Sequence, residues 1–80
     1  MAMIFDSFPS EIHAEGFAEL VRKRHDLITR VFTDEGAAYA DDPFPFALVT
    51  PIVHVERTDE RTEAHIVKVA AACGGVFAGT

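Results

Sequence analysis

Two segments of the chain carry apolar residues at helical spacing, and each apolar stripe is confined to one side of its helix. Such a helix must bury its stripe against a second layer. With two one-sided helices, the remaining chain is expected to supply one sheet that is covered on one face. The stripes are Ala14, Phe17, Ala18 and Val21 in the first helix, and Thr62, Ile66, Val69, Ala70 and Cys73 in the second.

The ends of both helices carry recognisable signals. Ser10 can cap the first helix, which we expect to end near His25. The basic run Arg22 to Arg24 then lies in its last turn, where it complements the helix dipole; we do not interpret it as a nucleic-acid patch. Thr58 or Asp59 can cap the second helix, and Gly74-Gly75 provides its left-handed stop.

Four segments have the alternation or β-branched content of strands. They occur in the order strand, helix, strand, strand, helix, strand, which predicts an α+β, ferredoxin-like split β-α-β sandwich in one domain over residues 1–80. Right-handed crossovers place the first and third strands in the centre of an antiparallel sheet with both helices on one face. The alternative adds a fifth strand at Phe46–Thr50. The four strands are Met3–Phe8, Leu27–Thr33, Ile52–Arg57 and Val76–Gly79.

Composition limits the class of protein. The chain has 80 residues, of which 49% are hydrophobic, a formal charge of −6 and one cysteine. This apolar content argues against a disordered tail, and one cysteine cannot form a disulfide framework. We expect a cytoplasmic protein without a membrane span or a bound cofactor, because no secretory leader, long apolar run or phosphate-binding glycine loop occurs. We expect no nucleic-acid partner, because the one basic cluster lies at a helix end and the net charge is negative.

The face of the sheet away from the helices is the first candidate site. In the third strand Val53 and Val55 suit the helix side, which leaves large apolar residues on the open side. Contiguous apolar surface usually marks an interface, so we expect a homodimer, or a protein or small-molecule partner, to use this face. Alternatively, the acidic loop at about 34–45 covers it. The predicted interface residues are Tyr39, Phe44, Phe46, Leu48 and Ile52.

His54 and Glu56 are the second candidate site. Two residues apart on a strand, they share one face, and a carboxylate beside an imidazole can orient it as a general base. The facing of His54 depends on how Pro51 is accommodated, because proline removes a hydrogen-bond donor from a strand. If the pair lines a pocket, the chain is a small enzyme of the dimeric barrel kind that transfers protons on an apolar molecule.

The other reactive residues give weaker indications. The four histidines lack the spacing of a zinc motif, and the loop acids do not match a calcium loop, so we predict no metal site. Cys73 lies in an apolar stripe and is expected in the core. Ser7 and Ser10 precede a helix, and we interpret both as caps.

The last residues, Gly74-Gly75-Val76-Phe77-Ala78-Gly79, resemble the closing segment of RraB-type ribonuclease E regulators. The resemblance covers six residues, and we carry no function over from it, because glycines that stop a helix before a strand are common. The leading functional hypothesis is a binding or regulatory module that uses its open sheet face.

Overall fold

The computed structural model describes residues 2–32 and 51–80, and these form the predicted ferredoxin-like arrangement. The strands make one antiparallel sheet in the order β2-β3-β1-β4, with β1 and β3 in the centre as expected. The acidic loop and the alternative strand at Phe46–Thr50 lie outside the described residues. The elements are β1 (Ala2–Asp6), α1 (Glu11–His25), β2 (Thr29–Phe32), β3 (Ile52–Glu56), α2 (Glu60–Ala72) and β4 (Val76–Gly79).

Both helices begin where the capping signals predict. The Ser10 hydroxyl accepts a hydrogen bond from the backbone N–H of His13 at 3.4 Å. The Asp59 carboxylate accepts one from the backbone N–H of Thr62 at 2.9 Å. Each bond satisfies one of the amide groups that a first helical turn leaves unpaired.

Each helix is followed by a residue in the left-handed conformation, with a positive φ. After α1, Asp26 adopts a φ of 52° and its N–H donates to the carbonyl of Arg22 at 3.1 Å. After α2, Gly74 adopts a φ of 87°, and the N–H of Gly75 donates to the carbonyl of Ala70 at 2.8 Å. The glycine stop is therefore confirmed, and it returns the chain to the sheet as β4.

The core lies between the sheet and the helices. Met3, Phe5, Val53 and Val55 point to the helix side, and the whole predicted stripe of α1 is buried. The ring of Phe17 packs edge-on against Phe5, with 5.0 Å between centroids. The stripe of α2 is less deeply covered, since Ile66 and Ala70 are buried whereas Thr62, Val69 and Cys73 are half-buried. Cys73, expected in the core, is the C-cap residue of α2 and packs half-buried against the core.

The first strand is shorter than predicted. β1 ends at Asp6 because Ser7 adopts a φ of 64°, which turns the chain out of the sheet. Ser7 is therefore not a helix cap, and its hydroxyl donates to the carboxylate of Asp6 at 3.0 Å. The turn carries Phe8 into the core, where its ring stacks on Phe17. A Cβ at Gly75 would collide with the Phe8 ring, so glycine is what makes room for it.

Glycine substitutions test this packing. Gly16 lies in the middle of α1, and a methyl group added there would meet no atom within 4 Å. Gly16→Ala should therefore raise the free energy of unfolding by about 0.5–1 kcal/mol through helix propensity.

Gly75→Ala should lower the free energy of unfolding by about 1–3 kcal/mol, because the Phe8 ring must move. Urea denaturation followed by circular dichroism measures both changes. Equal stability of Gly75→Ala and wild type would contradict the close packing of Phe8 on this glycine.

Candidate functional site

The candidate site is the side of the sheet that faces away from both helices, called here the open face. Alternation in each strand places its residues, because Phe5, Val53 and Val55 point into the core. Strand register brings Arg30, His54 and Ile4 into one row across β2, β3 and β1. Phe32 lies opposite Ile52 in the next row. By the same alternation, the open face consists of Ala2, Ile4, Asp6, Arg30, Phe32, Ile52, His54, Glu56 and, on the outer strand, Val76.

An arginine, a phenylalanine and a histidine stack at the β2 side of the open face. The guanidinium carbon of Arg30 lies 5.1 Å from the centre of the Phe32 ring. The His54 ring meets the same phenylalanine edge-on, with 4.7 Å between centroids. An exposed cation above an aromatic ring gains about 0.5–1 kcal/mol and is held in one orientation. Phe32 thus positions two nitrogen-bearing side chains on the open face.

Arg30 has no oxygen partner in the part of the chain that the structure describes. Its side chain is exposed, and its ring contact with Phe32 is the interaction observed there. Arg22, by contrast, donates to the carbonyl of Thr29 at 2.6 Å, and Arg57 pairs with Glu63. A guanidinium has five N–H donors in a fixed fork. With respect to residues 2–32 and 51–80, the open face therefore presents a cation whose donors no carboxylate accepts.

His54 and Glu56 share the open face, as their spacing predicts. Pro51 comes immediately before β3, so its missing N–H does not interrupt the strand and the facing of His54 holds. Within residues 2–32 and 51–80, no hydrogen bond joins the Glu56 carboxylate to the His54 imidazole, whose ring packs against Phe32. The catalytic role of His54 and Glu56 stays a prediction.

Of the five residues predicted to form the interface, one lies in the part of the chain that the structure describes. Ile52 lies on the open face, and its exposed fraction is 6%. Tyr39, Phe44, Phe46 and Leu48 lie outside the described residues. The interface assignment of this group stays a prediction.

The remaining histidines lie away from the open face. His25 of α1 and His65 of α2 meet edge-on with 5.7 Å between ring centroids. They adjoin a shallow groove between the helices, to which Leu20 and Val69 contribute. His13 lies at the start of α1, where its Nδ1 is 2.7 Å from the Ser10 hydroxyl oxygen. No group of three or more potential metal ligands occurs among the described residues.

Sequence reasoning missed two of these contacts. Alternation along the second predicted strand puts Arg30 and Phe32 on one side, but it does not show that the guanidinium lies over the ring. The contact between His25 and His65 joins residues on different helices. Its only signal was that both helices cover the same side of the sheet.

Two carboxylates, those of Asp59 and Glu63, each accept several hydrogen bonds at the turn from β3 into α2. The Arg57 guanidinium donates to both oxygens of Glu63, at 2.7 and 3.2 Å, and the backbone N–H of Thr58 donates at 2.9 Å. These bonds lower the pKa of Glu63 below its usual range, and the hydrogen bonds from Arg57 have the largest effect. The hydroxyl and then the backbone N–H of Thr62 likewise lower the pKa of Asp59. This network fixes the position where α2 leaves the sheet.

No family model, curated protein or solved structure matches the chain. The fold assignment therefore rests on element order and strand pairing, and the RraB-type likeness remains one of six residues. Among the described helices, neither is long and apolar enough to cross a membrane.

Acidification should weaken the turn before α2. Since folding lowers the pKa of Glu63, its stabilising contribution is complete above the unfolded pKa, near 4.3, and is lost as the pH falls through the lower folded value. Glu63→Gln should therefore lower the melting temperature at pH 7 and show a smaller further loss between pH 5 and pH 2 than wild type does. Thermal melts across this range measure both effects.

Glu60→Gln provides the control, because Glu60 is exposed in the same helical turn without the bonds that Glu63 accepts. It should retain the acid sensitivity of the wild type. If Glu63→Gln and Glu60→Gln give the same pH profile, the Arg57–Glu63 pair does not stabilise the turn.

Proposed function

We propose that the chain is a small interaction module whose open face binds a segment of another polypeptide that presents a carboxylate beside apolar side chains. The observation that carries the proposal is the Arg30 guanidinium, oriented over Phe32 and without an oxygen partner among the described residues. Arginine and aromatic residues dominate the energetics of protein interfaces, because they combine large contact area with directional hydrogen bonds.

The local charge at Arg30 supports a partner that presents a carboxylate. The chain carries 13 acidic and 7 basic residues, so its net charge opposes an acidic partner, and the contact with this one guanidinium must supply the attraction. A carboxylate can accept two parallel hydrogen bonds from one guanidinium. Ile4, beside His54 in the same row and two strands from Arg30, supplies half-buried apolar surface. The partner segment therefore combines an acid with an aliphatic or aromatic neighbour.

The enzymatic alternative has less support. It requires His54 and Glu56 to act together on a small apolar molecule, as the topology of dimeric barrel enzymes suggests. The His54 ring packs against Phe32. No hydrogen bond joins Glu56 to that ring within the described part of the chain, so the particular pair on which this alternative depends is not formed there.

A titration with two matched peptides tests the proposal. One short peptide alternates valine with glutamate, and the other replaces each glutamate by glutamine. In nitrogen-15 NMR spectra, we expect the glutamate peptide to shift the backbone amides of Arg30, Phe32 and His54. The glutamine peptide and the Arg30→Gln variant should each bind about tenfold more weakly, which corresponds to about 1.4 kcal/mol for a charge-assisted hydrogen bond.

Arg61→Gln serves as the matched control, because Arg61 is exposed on α2 and does not belong to the sheet. It should bind the glutamate peptide as wild type does. Absence of binding, or equal losses in Arg30→Gln and Arg61→Gln, would overturn the proposal. Shifts of the same open-face amides on raising the protein concentration alone would instead favour self-association through this face.

A further inference from the structure

A second surface lies at the opposite edge of the sheet. β4 is an outer strand and pairs with β1 on one side only, within the described part of the chain. Val76 is 56% exposed and Phe77 is 41% exposed. An outer strand with free backbone groups is usually protected from further pairing by lysine, proline or a covering element. β4 has the sequence Val-Phe-Ala-Gly and therefore carries neither charge nor proline.

The helix beside this edge also lacks charge over most of its outer flank. α2 packs against β4, whereas α1 packs over β2 and β3. His65 and Val69 mark the flank of α2 that faces α1. At 100° per residue, the opposite flank, above the β4 edge, is formed by Ala64, Val67 and Ala71.

These flank residues are small and at least partly accessible. Ala64 and Ala71 are exposed, and Val67 is half-buried. Acidic residues occur only towards the start of the flank, where Glu60 lies and Glu63 is bonded to Arg57. Small side chains permit a second helix to approach to about 8–10 Å between axes.

Phe77 joins the strand and the helix flank into one surface. It lies opposite Phe5 in the register of the sheet and points to the helix side. Its ring centroid is 5.5 Å from that of Phe5, which fixes its position. Because a large part of the ring is nevertheless exposed, it offers an aromatic anchor between β4 and α2. The edge surface consists of Ala64, Val67, Ala71, Val76, Phe77 and Ala78.

We propose that the edge surface pairs with the same surface of a second copy of the chain. The two β4 strands align antiparallel and extend the sheet to eight strands, and the α2 helices pack beside each other across the two-fold axis. Strands about 4.8 Å apart and helices about 8–10 Å apart fit this arrangement. The β4 strands contribute roughly four hydrogen bonds, and the two Phe77 rings lie near the axis.

Charge favours a second copy as the occupant. Each chain carries a net charge of −6, so two copies repel one another wherever acidic surfaces meet. The edge surface has no charged side chain, and an isologous contact requires only that one patch complement itself. A strand of four residues with one helix flank is a small interface, so we expect a dimer that dissociates on dilution.

This inference does not rest on the proposed function. Apart from Val76, whose side chain points to the open-face side, the edge surface lies on the helix side and outer edge of β4, whereas Arg30 lies on β2 at the opposite edge of the sheet. In the dimer Arg30 of each copy therefore stays away from the new contact. Peptide binding at Arg30 and dimerisation through β4 can therefore fail independently.

Sedimentation equilibrium with a matched pair of variants tests the dimer. Ala71 and Ala72 are adjacent, exposed and of the same type, but they lie on different flanks of α2. Wild type should show a mass of twice 8.8 kDa at high concentration. Ala71→Glu should raise the dissociation constant at least tenfold, because it places two carboxylates across the axis. Ala72→Glu should leave it within about twofold.

Val76→Lys provides a second variant, since Val76 is exposed on the strand itself. It should also weaken the dimer at least tenfold, with the fold checked by circular dichroism. A monomeric wild type at 1 mM would overturn the proposal. Equal effects of Ala71→Glu and Ala72→Glu would overturn it too, as would a dimer that Arg30→Gln disrupts and Val76→Lys does not.

Discussion

The contact of Phe5 with Phe17 is the interaction on which the rest of the structure depends. Phe5 lies on a central strand, is fully buried, and meets Phe17 of α1 on the helix side of the sheet. Once this ring faces the helices, the pleat fixes the direction of its neighbours along and across the strands. Val53 opposite it must also face the core, and His54 must face away. The composition of the open face is therefore a consequence of where one aromatic ring is buried.

The elements themselves are predictable because their signals are local. Helix caps at Ser10 and Asp59 and the stop at Gly74 act within four or five residues, and each is visible in the chain directly. The end of β1 is not predictable in this way. Phe8 continues an apolar run, but it leaves the sheet because a space exists beside Gly75, far along the chain. Only the folded arrangement brings these two residues together.

The candidate site shows the same division between local and long-range information. A period of two residues places His54 and Glu56 on one face, and this needs no knowledge of the fold. Whether the two side chains bond depends on their other neighbours. Phe32, from another strand, packs against the His54 ring, and the strand register that brings them together is a tertiary property. Spacing could predict which side chains share a surface, but not which contact each one makes.

The edge surface and the open face differ in charge, and this difference favours a different kind of partner for each. The edge surface has no charged side chain, so it can meet a copy of itself despite the net charge of −6. The open face carries a cation, and an isologous contact through two open faces would bring two copies of the same arginine to one interface. A cation-bearing patch gains most from a partner that brings the complementary charge, whereas a neutral patch gains most from shape and backbone pairing. A four-stranded sheet with helices on one side can therefore pair through its outer strand without covering the exposed Arg30 at its opposite edge.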